Sequence, residues 1–327
     1  MISRERQQID LEKAFFPVVE EPISVDVFMG QPKRIPGYKA LVDQQTGKVI
    51  SVVSSKYRLL LNRTAYDLAD IIIRAVFEGK KLCDFECFNI LMPQTNSSCR
   101  IDLIIPNDFN NLFGKESESW TPFVRISNSY NRSMTLKYEI GFCRWICKNG
   151  VIFGQLGISF SINHTGRMKE NIDMLIDKAK KKMGDIVSLW SAFEKKMIAL
   201  KEISLPVSAC LPMYCKAFNI NIKETLTENQ KDILRSKAKQ IIDAGKEYFR
   251  ELGNNGYAMM NVLSDFASFP KWSSSANNFV DGYQRRVGWW VDDFLAESKK
   301  HGFSLSKYIG EDYQNTAYSL ESLVEQE

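Results

Sequence analysis

Residues 121–168 read TPFVRISNSYNRSMTLKYEIGFCRWICKNGVIFGQLGISFSINHTGRM. This stretch decides the fold class. Phe123 to Asn128 reads as a strand, and Asn128 to Ser133 as a polar turn built from residues that bond their own backbone. Met134, Leu136, Tyr138, Ile140 and Phe142 alternate with polar or small residues, the period-two pattern of a half-buried strand. Lys148-Asn149-Gly150 turns the chain, Asn-Gly being a strong hairpin signal. Ile152, Leu156, Ile158, Phe160 and Ile162 alternate again, and a long helix is expected to begin near Arg167.

On either side of the stretch the pattern extends. Tyr38–Val42 and Lys48–Val53 read as a hairpin, and Asn62 or Thr64 as the cap of a helix that ends at Gly79. Cys83–Met92 and Cys99–Ile105 read as two more strands, and 107–120 as a polar, exposed loop. Runs of strands, with no alternation of strand and helix, predict α+β: an antiparallel sheet with a long helix packed on it. From Arg167 onward apolar residues recur at three and four, so an all-helical C-terminal half should follow, as one long helix or two in tandem at first. The expected division is a lead-in over 1–36, a sheet domain over 37–166, a helical region over 167–310 and an acidic, solvent-exposed tail over 311–327.

The turns carry a resemblance. NSYNRS (128–133), GFCRWICKNG (141–150), HTGRM (164–168) and GNNGYAMMNVLSDFAS (253–268) are similar to landmarks of the phage/plasmid-like protein family, domain of unknown function 932. The likeness runs from about Gly37 to about Trp290. It implies a mobile-element setting and brings no activity with it. The order hairpin, helix, antiparallel strands, long helix also looks like the core of phage single-strand annealing proteins of the Red beta and RecT class. That second likeness implies a basic groove between sheet and helix, and self-assembly into a homo-oligomer.

Composition narrows the classes. Hydrophobic residues are 44% and charged residues 25%, ordinary for a globular protein, and the net charge of +4 makes any polyanion site a local patch. No stretch has the run of apolar residues that crosses a bilayer, and the charged start MISRERQQIDLEKAFF lacks the apolar centre of a signal peptide, so no membrane partner and a cytoplasmic location are expected. Seven cysteines suit a reducing compartment. The Cys83/Cys87 and Cys143/Cys147 spacings admit a zinc site, but they lack the tight turns of zinc motifs, and small buried hydrophobes account for them better. No metal or cofactor is therefore expected.

Catalytic signatures are missing. The chain has two histidines, His164 and His301, and no phosphate-binding loop, dinucleotide fingerprint or nucleophile elbow. A non-catalytic role is expected. What stands out is arginine and aromatic residues on adjoining strands and turns, the pairing that single-stranded nucleic acid needs for its phosphates and bases. The candidate contacts are Arg58, Arg125, Asn128, Tyr130, Arg132, Arg144 and Lys148, joined by Lys178, Lys181 and Lys182 on the long helix, although a lysine run is also simply a solvated face. The expected function is single-stranded nucleic-acid binding, DNA favoured, in phage or plasmid recombination or replication. The competing expectation is a phage-encoded protein that inhibits a host defence system by binding host or phage proteins.

Overall fold

The computed structural model describes residues 9–26, 30–106, 110–115, 118–145, 150–152, 159–166, 168–181, 185–222, 226–269 and 280–325. The chain is α+β, with antiparallel sheets first and helices after them. Strands β1 (Val18–Val25), β2 (Lys33–Asp43) and β3 (Val49–Ser54) form a three-stranded sheet in the order β1-β2-β3. Helix α1 (Asn62–Val76) follows. The larger sheet contains β4 (Glu86–Leu91), β5 (Ser98–Ile104), β6 (Asn110–Asn111), β7 (Ser119–Ser129), β8 (Leu136–Arg144), β9 (Gly150–Val151) and β10 (Ser159–Ile162). Its main path is β10-β8-β7-β5-β4, with β6 against β7 and β9 against β8.

Period-two alternation gives this sheet two unlike faces. Val124 and Ile126 of β7, Leu136, Tyr138 and Ile140 of β8, and Ile101 and Leu103 of β5 are buried in one cluster with Ala69, Ile72, Ile73 and Val76 of α1. Those α1 positions recur at three and four residues, which makes one apolar helix face. Helix α2 (Met168–Lys180) adds Leu175 and Ala179 to the same cluster. The opposite face carries Asp102, Arg125 and Glu139 side by side in register.

The helical half is built around α6 (Gly256–Ser268), every residue of which is buried. Around it stand α3 (Asp185–Glu202), α4 (Cys210–Phe218), α5 (Glu228–Leu252) and α7 (Val280–Ser298). Two small residues let backbones approach. A Cβ on Gly256 would lie 2.8 Å from the Leu200 carbonyl, and one on Gly141 in β8 would lie 2.5 Å from the Phe123 ring. Helix α5 starts with a reciprocal cap: Thr227 accepts from the Gln230 N–H, and Gln230 accepts from the Thr227 N–H.

Several expectations are corrected. The lead-in is not a separate piece, because Val18–Val25 pairs along β2 across the anticipated boundary at residue 36. Asn62 is the first residue of α1 rather than its cap; its amide donates instead to the Ala14 carbonyl. Of the two alternatives left open after Arg167, one long helix or two in tandem, the structure has two, α2 and α3. The expected loop over 107–120 supplies strand residues Ser119 and Trp120 and the buried Leu112. Trp120 is drawn in because its ring meets Phe193 of α3 at 5.1 Å and its indole N–H donates to Tyr257 at 2.8 Å. After α8 (Leu305–Ile309) the anticipated tail forms α9 (Glu311–Glu325), with Ala317 and Leu320 buried. Its apolar residues fall on one helical face, which outweighs its charge.

Candidate functional site

Of the ten residues singled out by sequence, four are buried. Arg125 is 0% exposed and donates twice to Asp102, Nε to Oδ1 and Nη2 to Oδ2, each at 2.6 Å. The two are direct cross-strand neighbours in β5 and β7. Arg144 donates to Glu118 at 3.2 Å and Glu251 at 3.0 Å, so it ties the sheet to α5. Tyr257 donates to the same Glu118 at 2.6 Å. Burial pushes the Glu118 carboxyl up, while Arg144 and the Tyr257 hydroxyl oppose that shift.

Asn128 and Tyr130 are structural as well. Asn128 donates to the Leu60 carbonyl and to Asn62 Oδ1, both at 2.9 Å. The Tyr130 hydroxyl accepts from the Asn62 N–H at 3.0 Å, and burial pushes its phenol up. Arg125, Asn128, Tyr130 and Arg144 thus face the interior and offer nothing to a phosphate. Alternation assigns a polar strand position to one face of a sheet; it does not say whether that face meets water or the other half of the chain. Here Arg285 of α7 reaches Glu139 on the polar face, and Gln284 donates to Ser268 beside Gly150.

Lys148 and Lys182 lie outside the described residues, and the other four remain exposed. Lys178 and Lys181 stand at the far end of α2, about 15 Å along it from Met168 at about 1.5 Å per residue. The segments that carry Arg58 and Arg132 meet at one end of the large sheet. The Tyr57 hydroxyl donates to the Ser129 carbonyl at 2.7 Å, and the Ser51 hydroxyl to the Tyr130 carbonyl at 2.6 Å. These bonds clamp the Arg58 loop to the turn that carries Arg132. The turn is stiff: Ser129 Oγ donates to the Met134 carbonyl, Asn131 Oδ1 accepts from the Ser133 N–H, and Arg132 sits at φ 65°. His164 completes the base, its ring stacked 5.0 Å from Tyr57 and its Nδ1 3.3 Å from the Arg58 carbonyl oxygen.

Two exposed residues at this end were missed by sequence reasoning, Lys56 and Tyr38. Tyr38 is paired with Ser54 in the small sheet, two positions before Lys56. It is 56% exposed. Pairing of β2 with β3 brings them close, which a linear reading of two separate strands does not convey. Among the described residues no carboxylate pairs with the side chains of Lys56, Arg58 or Arg132. The arrangement is an open surface of three cations and one flat ring.

The described cysteines divide: Cys83 is exposed and Cys87 half-buried, and the rest are in the interior. Cys99, Cys143, Cys210 and Cys215 are buried. Burial pushes the thiols of Cys87, Cys99, Cys210 and Cys215 up to about 12, which disfavours the thiolate that binds metal. Among the described residues, no three His, Cys, Asp or Glu side chains come together as a metal cage. Cys147 lies outside the described residues. No described helix is long and apolar enough to cross a membrane.

The family model described as "Domain of unknown function (DUF932)" matches residues 49–242, and the chain belongs to that family. No curated protein and no solved structure matches the chain.

Proposed function

We propose that this member of the family binds single-stranded nucleic acid without catalysing a reaction, at the sheet end where Tyr38, Lys56, Arg58 and Arg132 are exposed. The observation that carries the reading is the set of three cations with no carboxylate partner, two of them on loops locked together by Tyr57 and Ser51. Unpaired cations release counterions from a phosphate chain when it binds, and an exposed ring stacks on any base. The setting we propose is a phage or plasmid genome, with strand annealing as the use and a homo-oligomer as the working form. Lys178 and Lys181 extend the contact along α2 for a strand long enough to reach them.

One feature favours the protein-binding alternative. The outer face of the small sheet exposes Val49 at 55% and Val52 at 59% beside Tyr38. Apolar side chains clustered at a surface suit a protein partner better than a phosphate chain.

The test is fluorescence anisotropy with a labelled single-stranded DNA oligomer, at low and physiological salt, against a duplex control. Lys56→Ala, Arg58→Ala and Arg132→Asn are combined, Asn being tolerant of the left-handed backbone at 132. Loss of three phosphate contacts lowers the salt slope by about 2, at about 0.7 per contact for single strands. Binding absent at low salt, or unchanged in the triple variant, overturns the proposal. A Val52→Lys variant that leaves DNA binding intact but abolishes capture of a protein partner would favour the alternative.

A further inference from the structure

A cleft lies in the helical half, far along the chain from the sheet end. It holds about 260 Å³ between α4, α7, α8 and α9. That is near the lower end of ligand pockets, which run from about 300 Å³ upward, and suits one flat ring with a charged group attached. Its walls are aromatic: Trp289, Trp290, Tyr308 and Tyr313. Its charged groups are Lys216 and Arg286 against one carboxylate, Asp293.

Three of the four walls are held in place. Trp290 stacks on Phe294 at 5.2 Å with the rings 10° apart. The Tyr308 hydroxyl donates to Asp293 at 2.9 Å, and the Tyr313 hydroxyl to Asn219 at 2.7 Å. Arg286 donates to the Phe218 carbonyl at the end of α4, which leaves most of its N–H groups uncommitted. Lys216 stands 4.5 Å over the Tyr308 ring. Among the described residues, neither cation meets a carboxylate. Trp290 is 3% exposed, and its indole N–H has no hydrogen-bond partner. Trp289, by contrast, is 55% exposed and presents a free ring at the mouth.

Aromatic walls with a carboxylate might suggest a cage for a ligand cation. The chain's own Lys216 already occupies that position over Tyr308, so an incoming cation would meet two like charges. An anion meets the opposite: two cations and a stacking surface. We infer that this cleft binds one nucleotide unit, with its base stacked on Trp289 and its phosphate held by Lys216 and Arg286. The unit's source is either a free nucleotide or the phosphorylated end of a strand.

The experiment titrates the full chain with adenosine 5′-monophosphate, adenosine and inorganic phosphate, read by tryptophan fluorescence and calorimetry. Two further arms use a short single-stranded oligonucleotide with and without a 5′-phosphate. The monophosphate should saturate, with adenosine and phosphate each at least about tenfold weaker. Trp289→Ala and Lys216→Gln should each weaken it about tenfold; Trp289 is exposed, so its removal leaves the core untouched. A tenfold preference for the phosphorylated oligonucleotide over the monophosphate assigns the site to strand ends; the reverse assigns it to free nucleotide. The inference is overturned if neither saturates, if inorganic phosphate binds as well as the monophosphate, or if Trp289→Ala binds unchanged. The triple variant at Lys56, Arg58 and Arg132 should bind the monophosphate normally, so the two sites fail or stand separately.

Discussion

Asp102→Asn should destabilise the chain severely without touching a surface. Asp102 is 2% exposed and its partner Arg125 is 0% exposed, so the pair has no access to water. The substitution leaves a guanidinium in the interior with its bidentate carboxylate gone. Glu139 stands opposite Arg125 in β8 and also serves Lys137 at 2.8 Å and Arg285. Breaking one side of a buried ion pair costs about 3–5 kcal/mol. At about 2 °C per kcal/mol for a large chain, the melting temperature should fall by roughly 6–10 °C. Thermal denaturation followed by circular dichroism reads this directly. The companion is the double variant Asp102→Leu/Arg125→Met, which removes both charges and fills the space. It should recover most of the loss, since an apolar replacement of a buried pair is often neutral. A single variant that melts within about 1 °C of the parent, or a double variant as unstable as the single, refutes the reasoning.

Two further outcomes are expected. Gly141→Ala places a methyl 2.5 Å from the Phe123 ring and 2.7 Å from the Val151 carbonyl oxygen, and should cost about 1–3 kcal/mol in a urea titration; an unchanged midpoint would mean the strands do not approach so closely. Burial pushes the His164 imidazole below its ordinary 6.5, against the opposing effect of the Arg58 carbonyl, so the folded chain favours the neutral ring. The stability it contributes is present above pH 6.5 and is lost as pH falls through the lowered folded value. His164→Gln should flatten the stability profile in that window, and a profile identical to the parent's would show that His164 does not titrate with unfolding.

Local pattern made much of the architecture legible. The strands from Phe123 onward, the hairpin of β2 and β3, α1 and the Thr227 cap all announce themselves through alternation, helical spacing or turn residues. What did not show is which surfaces the two halves bury against each other. Arg125 and Arg144 look like cations awaiting a phosphate because their partners lie 23 and 107 residues away. Trp120 looks like part of a loop because Tyr257 and Phe193 are remote in the chain too. The nucleotide cleft was invisible for the same reason: it draws on positions 216, 286–293, 308 and 313, none of which forms a motif alone.

The wholly buried α6 bears on how this family's members should be handled. The segment that defines the family ends at residue 242, inside α5 and before α6 begins. It also begins at residue 49, after β1 and β2. A fragment of residues 49–242 would therefore strip β3 of its neighbour β2 and leave Trp120, Phe142 and Phe193 without the helix they pack around. The segment matched by the family model and the packed unit of this chain have different bounds. Such a fragment should express as an aggregate, while the smallest autonomous piece must reach from β1 through α7.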